Sequence, residues 1–366
     1  MTTARKNIML TPGPTPLPPE VLAALSRPIL HHRTEAFGDT FQFVLDAMRR
    51  VYKTKNRVFM ASASGTGAME AAVVNLLSPS DNILVYSTGA FGDRFAAIMK
   101  AYGLAPVVLS EEWGHAAKPE KLADALKQNP KTKAVFLQQT DTSTGVLNGI
   151  KAMAAAVRAN SEAVVVVDAV SSLAAEEFRM DEWGVDVALT ASQKGLMNAP
   201  GLAFAAVSER AWALAQSAKL PKFYFDWKTC DKSLKARETP YTPAVAMVAA
   251  QAEALKLIES IGLENMWKRT AELADYTRAW ARKNGLALFA RDPAHILTGV
   301  RLPEGVNGSA MLAEILREDG ISIADGQLAL KGKIIRIAHM GHIGKDDLDA
   351  GFAALEKRLA RAATAE

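Results

Sequence analysis

The sequence predicts an α/β protein: a large three-layer domain with a mainly parallel sheet, followed by a smaller C-terminal α+β domain. Two observations carry this. From "RVFMASAS" to "AVVVVDAV", short apolar runs alternate with segments of helical periodicity. Most of those runs are continuous rather than every-second-residue apolar, as strands covered by helices on both faces require.

The elements follow in order. Residues 1–20 read as an N-terminal arm, because the Pro/Gly-rich stretch Thr11 to Pro19 cannot form regular helix. Helical periodicity covers "PPEVLAALSRP" and "FQFVLDAMRRVYKT", then "RVFMASAS" switches to a strand that ends in small residues and leads into the helix "GTGAMEAAVVNLL". Four further strands are expected at "NILVYST", "APVVLS", "KAVFLQQTD" and "AVVVVDAV", with "GDRFAAIMKAYG", "KPEKLADALKQN" and "GIKAMAAAVRAN" as the intervening helices. "DVALTAS" and "GLAFAAVS" add two strands, completing a large domain over residues 21–259. A long helical pattern through "AMVAAQAEALKLIES" continues in "MWKRTAELADYTRAWARKNG". The small domain, residues 260–366, then offers "LTGVRLP", "ISIADG" and "IIRIAHMG" as strands and "SAMLAEILREDG" as a helix.

Composition excludes several classes of function. With 43 basic and 39 acidic residues spread evenly and no dense basic tract, the net charge of +4 gives no footprint for nucleic acid. The start, "MTTARKN" followed by "IMLTPGPTPLPP", lacks the apolar core of a signal peptide, and no run reaches about 18 apolar residues, so no membrane partner is expected. One cysteine, Cys230, builds neither a disulfide framework nor a metal site, and a cytoplasmic setting is the natural expectation.

In an open parallel sheet, ligands gather beyond the C-terminal ends of strands. Ser64, Gly65 and Thr66 stand there at a helix start, where amides and hydroxyls can receive a phosphate; the same residues also make an ordinary N-cap. The spacing is neither that of a nucleotide P-loop nor of a dinucleotide fingerprint. Phe91 follows a strand and Gly89, placed to cover a planar ring or to pack in the core. Ser143 or Thr142, in "QQTDTSTGVL", can donate to a ligand oxygen or line a simple polar loop.

Asp168 is sharper: five apolar residues put it at the tip of a buried strand, where a carboxylate needs a cationic or strongly donating partner. Lys194, between "DVALTASQ" and "GLMNAPG", falls in the same cleft, and burial beside other cations makes an amine a usable nucleophile. A phosphate, a ring, a ring oxygen, a ring nitrogen and a carbonyl carbon at these five stations describe pyridoxal 5′-phosphate, which pairs a Schiff-base lysine with an acid at its ring nitrogen.

The sequence also resembles the class V pyridoxal-phosphate-dependent aminotransferases, in particular their alanine/serine–glyoxylate branch. The segments that carry the resemblance are "TPGPTPLPPEVL", "ASGTGAMEAA", "GAFGDR", "TSTGV", "VVVDAVSSL", "TASQKGLMNAPGLAF", "FYFDW", "ETPYTP" and "IIRIAHMG", in family order over nearly the whole chain. The resemblance implies a fold-type-I enzyme that assembles as a homodimer with its active site near the subunit interface. It implies Lys194 as the Schiff-base lysine, Asp168 at the pyridine nitrogen, Phe91 against the ring and Ser143 near the cofactor oxygen. Ser64, Gly65, Thr66 and Gln193 fall around the phosphate, with Thr239 or Thr242 reaching it from the neighbouring subunit. Arg336 falls where the family pairs an arginine with the substrate carboxylate. Asp141 and Thr142 replace a glutamate and serine common in relatives, and Thr66 stands where some have histidine, departures that bear on substrate choice.

The activity implied is transfer of an amino group from a small amino acid, alanine or serine, to a 2-oxo acid such as glyoxylate or pyruvate. A basic cluster for a distal carboxylate is not evident, although His31, His32 and Arg33 in "LHHRTEAF" are candidate entrance cations. Other outcomes are a phosphonate or aromatic-amine aminotransferase, a lyase of the same family, or a non-enzymatic α/β interaction protein.

Overall fold

Four consecutive valines, Val164 to Val167, set the layering. Val164 and Val166 belong to one apolar core and Val165 and Val167 to another, so a strand without polar alternation is buried from both sides. The computed structural model describes residues 7–363; the first six residues of the predicted arm and the last three of the small domain lie outside the described residues.

The chain runs β1 (Ile8–Leu10), α1 (Pro19–Leu25), α2 (Glu35–Tyr52), β2 (Arg57–Ala61), α3 (Gly65–Leu76), β3 (Asn82–Ser87), α4 (Ala90–Ala101), β4 (Val107–Ser110) and α5 (Pro119–Gln128). It continues through β5 (Thr132–Gln138), β6 (Thr140–Asp141), β7 (Val146–Leu147), α6 (Ile150–Asn160), β8 (Val164–Asp168), β9 (Val187–Ala191), β10 (Ala203–Val207), α7 (Glu209–Ser217) and α8 (Trp227–Leu234). The C-terminal part comprises α9 (Val245–Ile261), α10 (Leu263–Lys283), β11 (Leu297–Arg301), α11 (Gly308–Asp319), β12 (Ile321–Asp325), β13 (Ile334–Ala338) and α12 (Lys345–Ala363).

The large sheet has the order β2-β10-β9-β8-β5-β3-β4 and is parallel except for β10, which runs antiparallel to both neighbours. A second sheet, β1-β12-β13-β11, encloses a separate apolar core with α10, α11 and α12.

Three differences from the sequence expectations matter for the site. Ile8 to Leu10, assigned to the arm, pair in parallel with Ile321 to Ile323, so the arm is anchored in the small sheet before it crosses to the large one. The run "KAVFLQQTD" is two strands, because Gln139 leaves the sheet to donate its N–H to the Asp168 carbonyl at 2.8 Å; β6 then pairs with β7 as a hairpin holding residues 142–145. The long helical pattern breaks at Gly262, whose φ of 86° suits glycine and ends α9 before α10 begins.

Large-sheet and small-sheet segments also meet at Glu176. Its carboxylate accepts the main-chain N–H groups of His295 and Ile296, and its Oε2 lies 2.8 Å from His295 Nδ1. Among the described residues no helix is long and apolar enough to cross a membrane.

Candidate active site

β8 delivers Asp168 to the carboxyl end of the large sheet with 5% of its surface exposed. Oδ1 accepts the N–H of Val170 at 2.8 Å, and Oδ2 has no hydrogen-bond partner among the described residues. Burial raises its pKa to about 6, with Asp141 adding to the rise and the Val170 N–H, Lys194 and Arg94 opposing it.

The turn after β9 carries Lys194, also buried. Its Nζ donates to the main-chain oxygen of Pro12 in the arm and to Ser171 Oγ at 3.2 Å, three residues beyond Asp168. Burial lowers its pKa to about 8; Asp168 pulls upward, while Arg336 and Arg94 push further down. The arm is pinned over this turn: Thr15 N–H donates to the Gln193 carbonyl at 3.2 Å and Thr15 Oγ1 to the Lys194 carbonyl at 3.1 Å.

Ser64 is the N-cap of α3, yet its side chain makes no capping bond and is exposed. The amides of the first turn, at Gly65 and Thr66, thus form the positive end of the helix without a cap from Ser64. Gly65 lies against Val170: a Cβ there would meet Val170 Cγ1 at 2.9 Å, so the glycine brings this helix start up to the Asp168 turn. Thr66 Oγ1 accepts from Arg94 Nη1 at 3.1 Å, and that guanidinium stands 4.5 Å from the centre of the Phe91 ring.

Phe91 is fixed at its backbone by Asp141, whose Oδ2 accepts the N–H groups of Phe91 and Gly92 at 3.0 and 3.2 Å. Asp141 therefore caps α4 from across the chain. Ser143 reinforces that cap, since its hydroxyl donates to Asp141 Oδ1 at 2.5 Å and accepts the Ala90 N–H at 3.0 Å. A hydroxyl has one proton to give, so in this arrangement Ser143 does not donate to a ligand oxygen as the sequence suggested.

Arg336, on β13, reaches from the small sheet to this cluster. Nε donates to the Asp325 carbonyl at 2.7 Å and Nη1 to the Thr142 carbonyl at 2.8 Å, and among the described residues no carboxylate lies within ion-pair distance. Burial lowers its pKa to about 10. Gln193, next to Lys194, has its Oε1 buried without a partner. Thr239 and Thr242 are not drawn in within the chain: Thr239 Oγ1 donates to the Tyr241 carbonyl at 2.7 Å, and Thr242 Oγ1 stands 3.4 Å from His32 Nε2.

The structure thus gathers Lys194, Asp168, Gly65, Thr66, Phe91, Ser143, Gln193 and Arg336 around one end of the sheet. Sequence reasoning passed over Pro12, Gly13, Ser171 and Arg94. Arg94 was legible in principle, since it follows Phe91 at the three-residue spacing that puts two helical side chains on one face.

Residues 9–342 match the family Aminotransferase class-V. The chain belongs to the class V aminotransferases. This class V aminotransferase is 39% identical over 360 residues to the soluble hydrogenase small subunit of Synechococcus sp. (strain PCC 6716), covering 97% of this chain and 93% of that protein. It is 33% identical over 366 residues to a serine–glyoxylate aminotransferase of Methylorubrum extorquens, covering 97% and 91%. Among solved structures it is similar to an aspartate aminotransferase of subgroup IV from Thermus thermophilus, with a TM-score of 0.90 and 34% identity over 97% of this chain and 99% of that one. The fold is therefore the fold-type-I architecture of these enzymes, and the cofactor is pyridoxal 5′-phosphate.

The residues present fit that group. The carboxylate of Asp168 is buried as a residue and its Oδ2 has no donor among the described residues, a partner that a ring N–H would supply. The uncapped first turn of α3 suits an anion. Lys194, Arg94 and Arg336 bring three cationic groups to the site, set among the carboxylates of Asp168, Asp141 and Asp325.

Proposed function

We propose that this aminotransferase moves the amino group of a small amino acid, alanine or serine, to a 2-oxo acid such as glyoxylate or pyruvate. The carrying observation is the shared burial of Lys194 and Asp168 at one turn, residues 168–171, where Lys194 donates to Ser171 and each of the pair alters the other's ionisation. Bound pyridoxal phosphate supplies a carbonyl carbon for amine exchange and a ring that accepts electrons from the substrate α-carbon.

The chain's own residues do the rest. Asp168 would hold a proton on the ring nitrogen through Oδ2, the oxygen left without a donor. Lys194 Nζ would hold the cofactor at its carbonyl carbon and would serve as the base for the substrate α-proton, a role suited to an amine whose pKa burial lowers to about 8. Phe91 would cover the ring, and Ser64, Gly65, Thr66 and Gln193 would hold the phosphate. Arg336, already held flat by two main-chain carbonyls, presents its guanidinium to the substrate α-carboxylate. Ser143 acts through Asp141 by fixing the start of α4.

A small neutral donor is favoured by the fate of the entrance cations. Arg33 is occupied by Glu238 and by the Thr239 carbonyl, leaving it poorly placed for a second substrate carboxylate. The serine–glyoxylate aminotransferase among the relatives supports the same choice.

A homodimer completes the reading. Ile29 and Phe223 are 72% and 78% exposed, and Ile29 lines a cleft of about 470 Å³ with Leu30, Phe37, Phe43 and Val245. The family resemblance gives Thr239 or Thr242 of the partner subunit the role of reaching the phosphate. Residues 21–259 and 260–366 act as cofactor and small domains, with Gly262 between their helices. The single, buried thiol of Cys230 fits a cytoplasmic setting.

The test is a panel of amino donors and oxo acceptors with the purified, cofactor-loaded enzyme. Alanine or serine with glyoxylate or pyruvate should give the highest kcat/KM. A preference for aspartate of tenfold or more would overturn the substrate assignment, and absence of any transamination would overturn the reading itself.

A further inference from the structure

We propose that Arg94 is a positioning residue of the cofactor site, one that locks the ring wall at Phe91 to the phosphate end at Thr66. The inference rests on the assignment of Phe91 and Thr66 just given.

Arg94 lies one helical turn after Phe91 on α4 and is partly buried. A guanidinium in that situation ordinarily finds a carboxylate, yet among the described residues none lies within ion-pair distance of it. The neighbouring Asp93 is taken by Ser87, whose hydroxyl donates to it at 2.7 Å. Glu70, on the facing helix α3, accepts from the Tyr102 hydroxyl. Arg94 instead makes two contacts that both point into the site. One face lies over the Phe91 ring at 4.5 Å, and Nη1 donates to Thr66 Oγ1 at 3.1 Å.

Each contact has a consequence for a planar, phosphorylated ligand. A cation stacked on one face of an aromatic ring fixes the plane of that ring, leaving the opposite face to stack on a ligand. A donor to the threonine oxygen turns the hydroxyl proton of Thr66 away from Arg94, free to be given to a phosphate oxygen. The same guanidinium joins α3 to α4, so the two cofactor contacts are set by one side chain. Its charge also reaches the reacting pair, opposing ionisation at Lys194 and favouring it at Asp168.

The experiment compares Arg94→Met and Arg94→Lys with the wild-type chain for dissociation of pyridoxal 5′-phosphate, followed by visible absorbance, and for the induced circular dichroism of the bound cofactor. Arg94→Met should weaken binding about tenfold to a hundredfold, the range of a charge-assisted hydrogen bond plus a cation–π contact. It should also reduce the visible dichroism per bound cofactor, a signal that reports ring orientation rather than folding. Arg94→Lys, which keeps the charge, should recover most of both. Thr66→Ala and Arg94→Met combined should cost less than the product of their separate effects, since each breaks the same bond. If Thr66→Ala and Phe91→Leu weaken binding while Arg94→Met leaves affinity and dichroism unchanged, the inference about Arg94 falls and the site assignment survives. If Thr66→Ala and Phe91→Leu are themselves silent, the site assignment falls and the inference goes with it.

Discussion

Gly13 lies flat against the stem of Lys194. A methyl group at position 13 would overlap Cδ and Cε of the lysine and stand 2.8 Å from Nζ. The backbone at Gly13 has a φ of 107°, a region that side chains avoid, so a substitution is strained by geometry as well as by contact. Gly13→Ala is expected to slow cofactor capture and turnover tenfold or more, and to lower stability by more than about 1 kcal/mol. Stopped-flow reconstitution alongside a thermal melt separates the two, and wild-type capture rates in this variant would contradict the crowding of the lysine by the arm.

Lys194→Ala removes the amine proposed to bond the cofactor. The variant should lose the visible absorbance of the lysine-bound cofactor and almost all turnover, yet fold normally, because the side chain holds only Pro12 and Ser171. Spectra of the purified variant and a donor–acceptor assay check this. Retained normal activity would end the assignment.

Asp168→Asn should separate stability from chemistry. The folded-state pKa of Asp168, about 6, lies above its unfolded value, so folding binds a proton between the two and the free protein loses stability as pH rises through that window. A neutral amide escapes this penalty and should stabilise the cofactor-free protein by about 1–3 kcal/mol at neutral pH. The half-transamination rate should fall on the order of a hundredfold, because the ring nitrogen loses the charged partner proposed for it. Denaturant melts and single-turnover kinetics on the same variant test both halves, and an unchanged half-reaction rate would refute the electronic role.

The Glu176–His295 pair predicts a pH dependence of a different origin. The hydrogen bond to Glu176 holds the His295 pKa above its ordinary value. A raised folded-state pKa contributes stability that is complete below the unfolded value near 6.5 and disappears as pH climbs through the folded one. Glu176→Gln should therefore destabilise the protein more at pH 6 than at pH 9. Melting temperatures of the two proteins across that range provide the measurement, and a constant difference would show that the backbone bonds to Glu176 alone matter.

Much of this site was legible because its residues punctuate strands. Asp168 and Lys194 stand out from apolar runs that give them no local partner, and the chain order of the motifs resembles a family in which those positions do chemistry. What could not be read lies in contacts between distant segments. Asp141 looked like a mere departure from relatives; its work is to cap α4 some fifty residues earlier, a pairing with no local signature. The direction of β10 was invisible for a related reason, since a strand buried on both faces has the same pattern whichever way it runs. The three residues of β1 are too few to show a period, and the Pro/Gly stretch behind them masked their pairing. The glycine that ends α9 was visible inside the helical pattern and was outweighed by the periodicity on either side.

The crossing of the arm gives this molecule a mechanical linkage. Leu10 is stitched into β12, β12 into β13, and β13 bears Arg336; two residues after Leu10, Pro12 offers its oxygen to Lys194. One short segment of chain, Leu10 to Pro12, thus ties the sheet that bears Arg336 to the turn that bears Lys194.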